Sequence, residues 1–112
     1  MLTDFCYYNR HTPDNRYVPL NVGLIGQYIN QEFGKNVSVS LYKSVDKFLN
    51  KAKENPPDIV GLAIYFWNTA ISQYAVKCLR EMFGEKVVIV LGGPSIDSDK
   101  LQQYKFLTEK FP

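Results

Sequence analysis

From Ile59 to Ile64 the chain is apolar at every position except Gly61, with no polar alternation. A strand with one wet face would alternate, so this run predicts a central strand buried on both faces. Pro56-Pro57-Asp58 blocks a helix before it, and Asn68-Thr69 provides a helix start after it. Val87-Val88-Ile89-Val90-Leu91 is a second wholly apolar run and predicts a strand with neighbours on both sides. Leu2 to Tyr8 favours a strand through the bulk of Phe5, Cys6, Tyr7 and Tyr8. Val37, Val39 and Leu41 alternate with Ser38 and Ser40, the pattern of a half-exposed strand at a sheet edge.

Helical periods lie between these runs. Pro19 suits a first helical position, Leu24, Ile25, Tyr28, Ile29 and Phe33 form one apolar stripe, and Gly34 ends it. Gly23 and Gly26 sit one turn apart on that helix, so the sheet or a ligand is expected to approach its backbone. Ser44 caps the next helix, which carries Val45, Phe48, Leu49 and Ala52 on one face and stops at Pro56-Pro57. Asn68 or Thr69 caps a third helix with Ile71, Tyr74, Ala75, Cys78, Leu79 and Met82 on one face and Gly84 at its end. A last polar segment from Asp97 to Lys110 spaces Leu101, Tyr104 and Leu107 as a fourth helix. Between the first strand and the first helix runs Asn9 to Pro19, polar and twice broken by proline, longer than the roughly 2–6 residues usual for such a connection.

Strand and helix therefore alternate four times, which specifies an α/β fold: a parallel sheet with helices on both faces and right-handed crossovers. The predicted architecture is a flavodoxin-like, doubly wound α/β/α sandwich with strand order 2-1-3-4. Its ligand crevice opens between the first and third strands, where the winding reverses. The loops after strands one, three and four meet at that rim. Three large aromatics, Tyr65, Phe66 and Trp67, stand at the carboxyl end of the third strand.

Length and charge narrow the rest. At 112 residues the chain makes one domain, residues 1–112. Hydrophobic residues at 46% and charged residues at 21% are ordinary globular values, and a net charge of +2 is too small to argue for nucleic acid or an anionic membrane. No apolar run approaches the roughly 18 residues of a membrane span, and Met1-Leu2-Thr3-Asp4 lacks the basic start of a secretory signal, so the expected location is the cytoplasm. Cys6 and Cys78 have no metal-type spacing and read as free thiols. The first strand leads into no G-x-G-x-x-G turn, there is no G-x-x-x-x-G-K-[ST] phosphate loop, and no carboxylate ends the third strand, which argues against nucleotide and phosphoacceptor functions. No nucleophile–base pair or acidic cluster marks the rim, so the chain is not expected to be catalytic alone.

Three stretches in order carry a likeness. Pro19-Leu20-Asn21-Val22-Gly23-Leu24-Ile25, Pro57-Asp58-Ile59-Val60-Gly61-Leu62 running on to Ala63 and Tyr65-Phe66-Trp67-Asn68, and Val90-Leu91-Gly92-Gly93-Pro94 together resemble the N-terminal cobalamin-binding domain of cobalamin-dependent radical S-adenosylmethionine enzymes. The resemblance implies cobalamin (vitamin B12) as cofactor, its nucleotide tail tucked between sheet and helix. It also implies a partner: a following domain of the same parent chain that carries the iron–sulfur cluster on a C-x-x-x-C-x-x-C motif and performs methyltransferase or cyclase-type radical chemistry. This sequence has no such motif and resembles the cobalamin half only. The expected cofactor-binding residues are Leu20, Asn21, Val22, Gly23, Ala63, Tyr65, Phe66, Trp67, Asn68, Gly92, Gly93 and Pro94.

A corrin ring needs an apolar platform, backbone hydrogen bonds, and small residues where the tail passes the main chain. Tyr65, Phe66 and Trp67 suit the first, the N–H groups of Leu20 to Val22 the second, and Gly92-Gly93 the third. The blander reading makes Tyr65 and Phe66 core, Asn68 only a helix cap and Gly92-Gly93 only a turn. Other cobalamin proteins ligate cobalt through a D-x-H-x-x-G histidine. Asn9-x-His11-x-x-Asp14 keeps the histidine but loses the aspartate and the glycine, so His11 is expected to be a surface residue and no metal ligand is assigned. The competing function is a cofactor-free docking module that uses the aromatic rim to contact a partner. Because no later segment reads as a fifth strand, Val87–Leu91 is expected to lie at an open edge, available to a second copy, in a fragment of a larger protein.

Overall fold

The computed structural model describes residues 1–7 and 18–112. Tyr8 and the motif around His11 lie outside the described residues, as does most of the long connection before Pro19. The elements in chain order are β1 (Leu2–Thr3), α1 (Leu20–Phe33), β2 (Leu41–Tyr42), α2 (Val45–Glu54), β3 (Ile59–Ala63), α3 (Thr69–Phe83), β4 (Val88–Gly92) and α4 (Lys100–Lys110). All strand pairs are parallel and the sheet runs β2-β1-β3-β4, the flavodoxin-like order expected. Leu2 stands beside Leu41 on one side and Gly61 on the other, and Gly61 beside Val90.

Local chemistry accounts for the helix limits. Ser44 Oγ accepts from Lys47 N at 3.4 Å and opens α2, whose Phe48, Leu49 and Ala52 are buried. Asp99 accepts from Leu101 N and Gln102 N, both at 3.0 Å, and opens α4. Gly34 and Gly84 close α1 and α3 with φ of 53° and 60°, each sending its N–H back to the helix.

One face of the sheet carries the main core, in which Val60, Leu62 and Ile64 meet Phe5, Phe48, Ala75 and Leu79. Phe5 and Phe48 pack edge to face with centroids 5.4 Å apart. The opposite face carries a smaller cluster of Val22 from α1 with Ala63 and Tyr65, against which Leu2 packs. Helices therefore flank both faces. Cys6 and Cys78 are free thiols. Among the described residues no helix is long and apolar enough to cross a membrane.

Five expectations are corrected in detail. The β1 ladder ends at Thr3, although Asp4 N and Cys6 N continue to bond Tyr42 O and Lys43 O along β2. On α1 the buried positions are Val22 and Gly26, while Leu24, Ile25, Tyr28 and Phe33 are exposed. Gly26 lies against Val39, Leu2 and Leu41, so α1 rests on the β1–β2 half of its face. The same side of β3 and β4 is left open: Ile59, Val88 and Val90 are each more than half exposed, so neither strand is buried on both faces. On α3, Ser72 and Val76 are buried and Tyr74 is exposed. On α4 it is Phe106, with Phe111 just after the helix, that packs on the core, while Leu101, Tyr104 and Leu107 face out.

Candidate functional site

The carboxyl ends of the strands form the rim, and its aromatic residues build outward from the core. Tyr65 follows β3 and is buried with Val22 and Ala63. Its hydroxyl accepts a 2.6 Å hydrogen bond from Asn21 Nδ2, which ties the first turn of α1 to the end of β3. Trp67 stacks on Tyr65, centroids 4.5 Å apart and planes 12° from parallel, and is 47% exposed. Phe66 meets the indole edge to face at 4.8 Å and is 85% exposed. The three rings make a ledge anchored at Tyr65 and open at Phe66.

Asn68 turns away from solvent. It is fully buried and its side chain makes no cap on α3, contrary to the expectation of a helix cap. Its Oδ1 accepts from Tyr65 N at 2.8 Å, and its Nδ2 donates to Ala63 O at 2.9 Å and Phe5 O at 3.4 Å. Thr69 Oγ1 donates to Tyr65 O at 2.8 Å, closing the same turn.

The turn after β4 is fastened to the end of β3. Ile64 N donates to Gly92 O at 2.6 Å, and Ser95 N donates to Ile64 O at 3.2 Å. Gly93 adopts φ 107°, and a Cβ built there would stand 2.8 Å from Ile64 O. Its glycine is therefore explained by the turn. Gly92 differs, since a Cβ there meets nothing within 4 Å.

Asn21, Val22, Ala63, Tyr65 and Trp67 are thus brought into contact, and Gly92 and Gly93 join them through Ile64. Leu20 and Pro94 are exposed, and Gly23 faces open space, so helix packing accounts for Gly26 and not for Gly23. Pro19 at the N-cap of α1 supplies no side-chain cap; Leu20 N is already engaged by Val18 O, which removes one of the N–H groups expected to face a ligand.

Sequence reasoning missed Asp4 and Ile64. Asp4 is a buried carboxylate just past β1, signalled only by an acid inside an apolar stretch. Burial first, and the Asp4 carboxylate second, push the Cys6 thiol up against the opposing pull of Lys43. Ile64 serves through its backbone, which leaves no mark in composition. Among the described residues no three His, Cys, Asp or Glu side chains gather as a metal site. A groove between α3 and α4, lined by Gln73, Lys77, Arg80 and Lys110 among others, includes no residue of the rim. No protein-family model, curated protein or solved structure matches the chain.

Proposed function

We propose that this chain is a cobalamin-binding domain, with the corrin resting on the Trp67–Phe66 ledge. The observation that carries the reading is the ledge itself: an anchored aromatic surface, the Trp67 ring stacked on Tyr65 with Phe66 edge-on beside it, left open to solvent at the topological switch point of a doubly wound sheet. The fit of the residues present is good for a large flat ligand with a trailing chain. Trp67 offers an apolar face held in place by Tyr65, Asn21 stands beside it, and the open space at Gly92 leaves a passage along the main chain. Val22, Ala63 and Tyr65 support the ledge from beneath and exclude water from its base. Bound cobalamin would supply the cobalt chemistry of methyl transfer or a related radical reaction, carried out with a radical S-adenosylmethionine domain of the parent protein in the cytoplasm. The residues of this chain bind and orient; none is assigned a proton or a bond to cobalt.

Titration with hydroxocobalamin, followed by absorbance, tests the reading. Saturable binding is expected, and Trp67→Ala should weaken it by about tenfold or more, an amount within reach of one lost aromatic contact surface. Lys47→Ala, on the exposed side of α2, should leave affinity unchanged. Equal losses in the two variants, or no binding by a folded wild-type chain, would refute the assignment. A second reading is favoured by the 85% exposure of Phe66: the ledge docks a partner domain without cofactor. Intact fold with no cobalamin-dependent spectral change would select it.

A further inference from the structure

We propose that Asn68 is the positioning residue that holds the crevice between β1 and β3 at fixed width and sets the tilt of the ledge; this rests on the cofactor-binding reading above. The two strands pair only as far as Thr3 and Leu62. Past that rung β1 stays with β2, through Asp4 N to Tyr42 O and Cys6 N to Lys43 O, and a seam opens toward β3. The Asn68 side chain crosses it. Asn68 Nδ2 spends both of its N–H groups there, on Phe5 O from the β1 side and Ala63 O from the β3 side, while Oδ1 holds Tyr65 N.

The amide thus replaces the next rung of the ladder and fixes the backbone from which the ledge grows. On the other flank Ile64 is held by Gly92 O and Ser95 N, so the chain from Ala63 to Tyr65 is fastened on both sides. Asn68 is fully buried, so its truncation leaves backbone groups of Phe5, Ala63 and Tyr65 without partners and away from bulk water. Burial equally prevents Asn68 from touching a ligand in the crevice. Its influence on binding must pass through Tyr65 and the Trp67 ring stacked upon it.

Trp67 is the only tryptophan in the chain, so its fluorescence reports on the ledge alone. The experiment compares Asn68→Ala and the isosteric Asn68→Asp, which keeps the acceptor and loses both donors, with Val76→Ala, a core truncation on α3. Each is examined without ligand for Trp67 emission and acrylamide quenching, under conditions where far-UV circular dichroism is native, and then by hydroxocobalamin titration. Both Asn68 variants should show red-shifted, more readily quenched Trp67, and about tenfold or greater loss of affinity. Val76→Ala should lose stability while keeping native Trp67 emission and affinity. A folded Asn68 variant with a native Trp67 signal, or one with a changed signal and unchanged affinity, would overturn the proposal. If Asn68→Ala does not fold, Asn68→Asp decides by the same criteria. If wild type binds no cobalamin yet the variants change the Trp67 signal, the cofactor reading falls and the structural role of Asn68 in the ledge stands.

Discussion

Gly93→Ala is expected to be among the more damaging single-methyl changes in this chain. At φ 107° an L side chain is strained, and the new Cβ would stand 2.8 Å from Ile64 O and 3.0 Å from Ile64 N, both backbone atoms fixed in the sheet. Backbone strain of this kind costs about 1–3 kcal/mol, and forced overpacking about 1–3 kcal/mol. The lower entropy of an unfolded chain with alanine returns only about 0.4–1 kcal/mol. Mid-range values of these terms give a net loss of about 3 kcal/mol, against a total near 5–15 kcal/mol for a domain. Urea unfolding by far-UV circular dichroism reads it directly, and in a thermal scan it corresponds to a fall of roughly 8–16 °C. Two glycines serve as controls. Gly92→Ala meets nothing within 4 Å and needs no positive φ, so it should be nearly neutral. Gly23→Ala lies inside α1 with open space around it, and should stabilise by about 0.5–1 kcal/mol. A Gly93→Ala protein within about 0.5 kcal/mol of wild type, the ordinary scatter of surface changes, would refute the account of the turn.

The Cys6 thiol is held up by burial and by Asp4. Its protonated form therefore contributes stability that is fully present below the unfolded value of about 9.0 and is lost as pH rises from there through the higher folded value. Unfolding free energy should decline above that pH by less in Cys6→Ser, and Ellman's reagent should label Cys6 more slowly than the less buried Cys78; faster labelling of Cys6 would contradict its burial. Along β4, exposed Val88 and Val90 sit beside exposed Ile59 on an unprotected sheet edge, so the chain should self-associate in sedimentation experiments. Val88→Lys with Val90→Lys should reduce that, and equal association in the double variant would place the contact elsewhere.

The order of the sheet was legible because apolar runs such as Ile59–Ile64 alternate with helical periods, but the alternation around Val39 set the second strand too early, since the ladder there holds only Leu41 and Tyr42. The helix of Ser44 was legible to the residue, since a cap and an apolar face are local properties. What failed was the assignment of covered faces. The stripe of Leu24, Ile25 and Tyr28 is helical in spacing, but the helix presses its glycine side onto the sheet, where Val39, Leu2 and Leu41 approach. No count along the sequence says which half of a sheet a helix will cover. The aromatic run announced a rim, and Asn21 and Val22 of α1 lie against its Tyr65. Asn68 was misread because its three partners include Phe5, 63 positions away, whereas the capping rule looks only at the next few residues.

That separation also orders the assembly of the molecule in time. β3, α3 and β4 are consecutive and can pair from neighbouring chain, but the link from Asn68 to Phe5 closes a loop of 63 residues, and β1 must find β2 and β3 across comparable spans. The seam beneath the ledge is therefore among the last features to form. A chain in which only the second half has folded has the aromatic rings but not the bridge that aims them. Whatever binds at the rim will consequently distinguish finished molecules from half-finished ones, and will hold the first strand in place once it arrives.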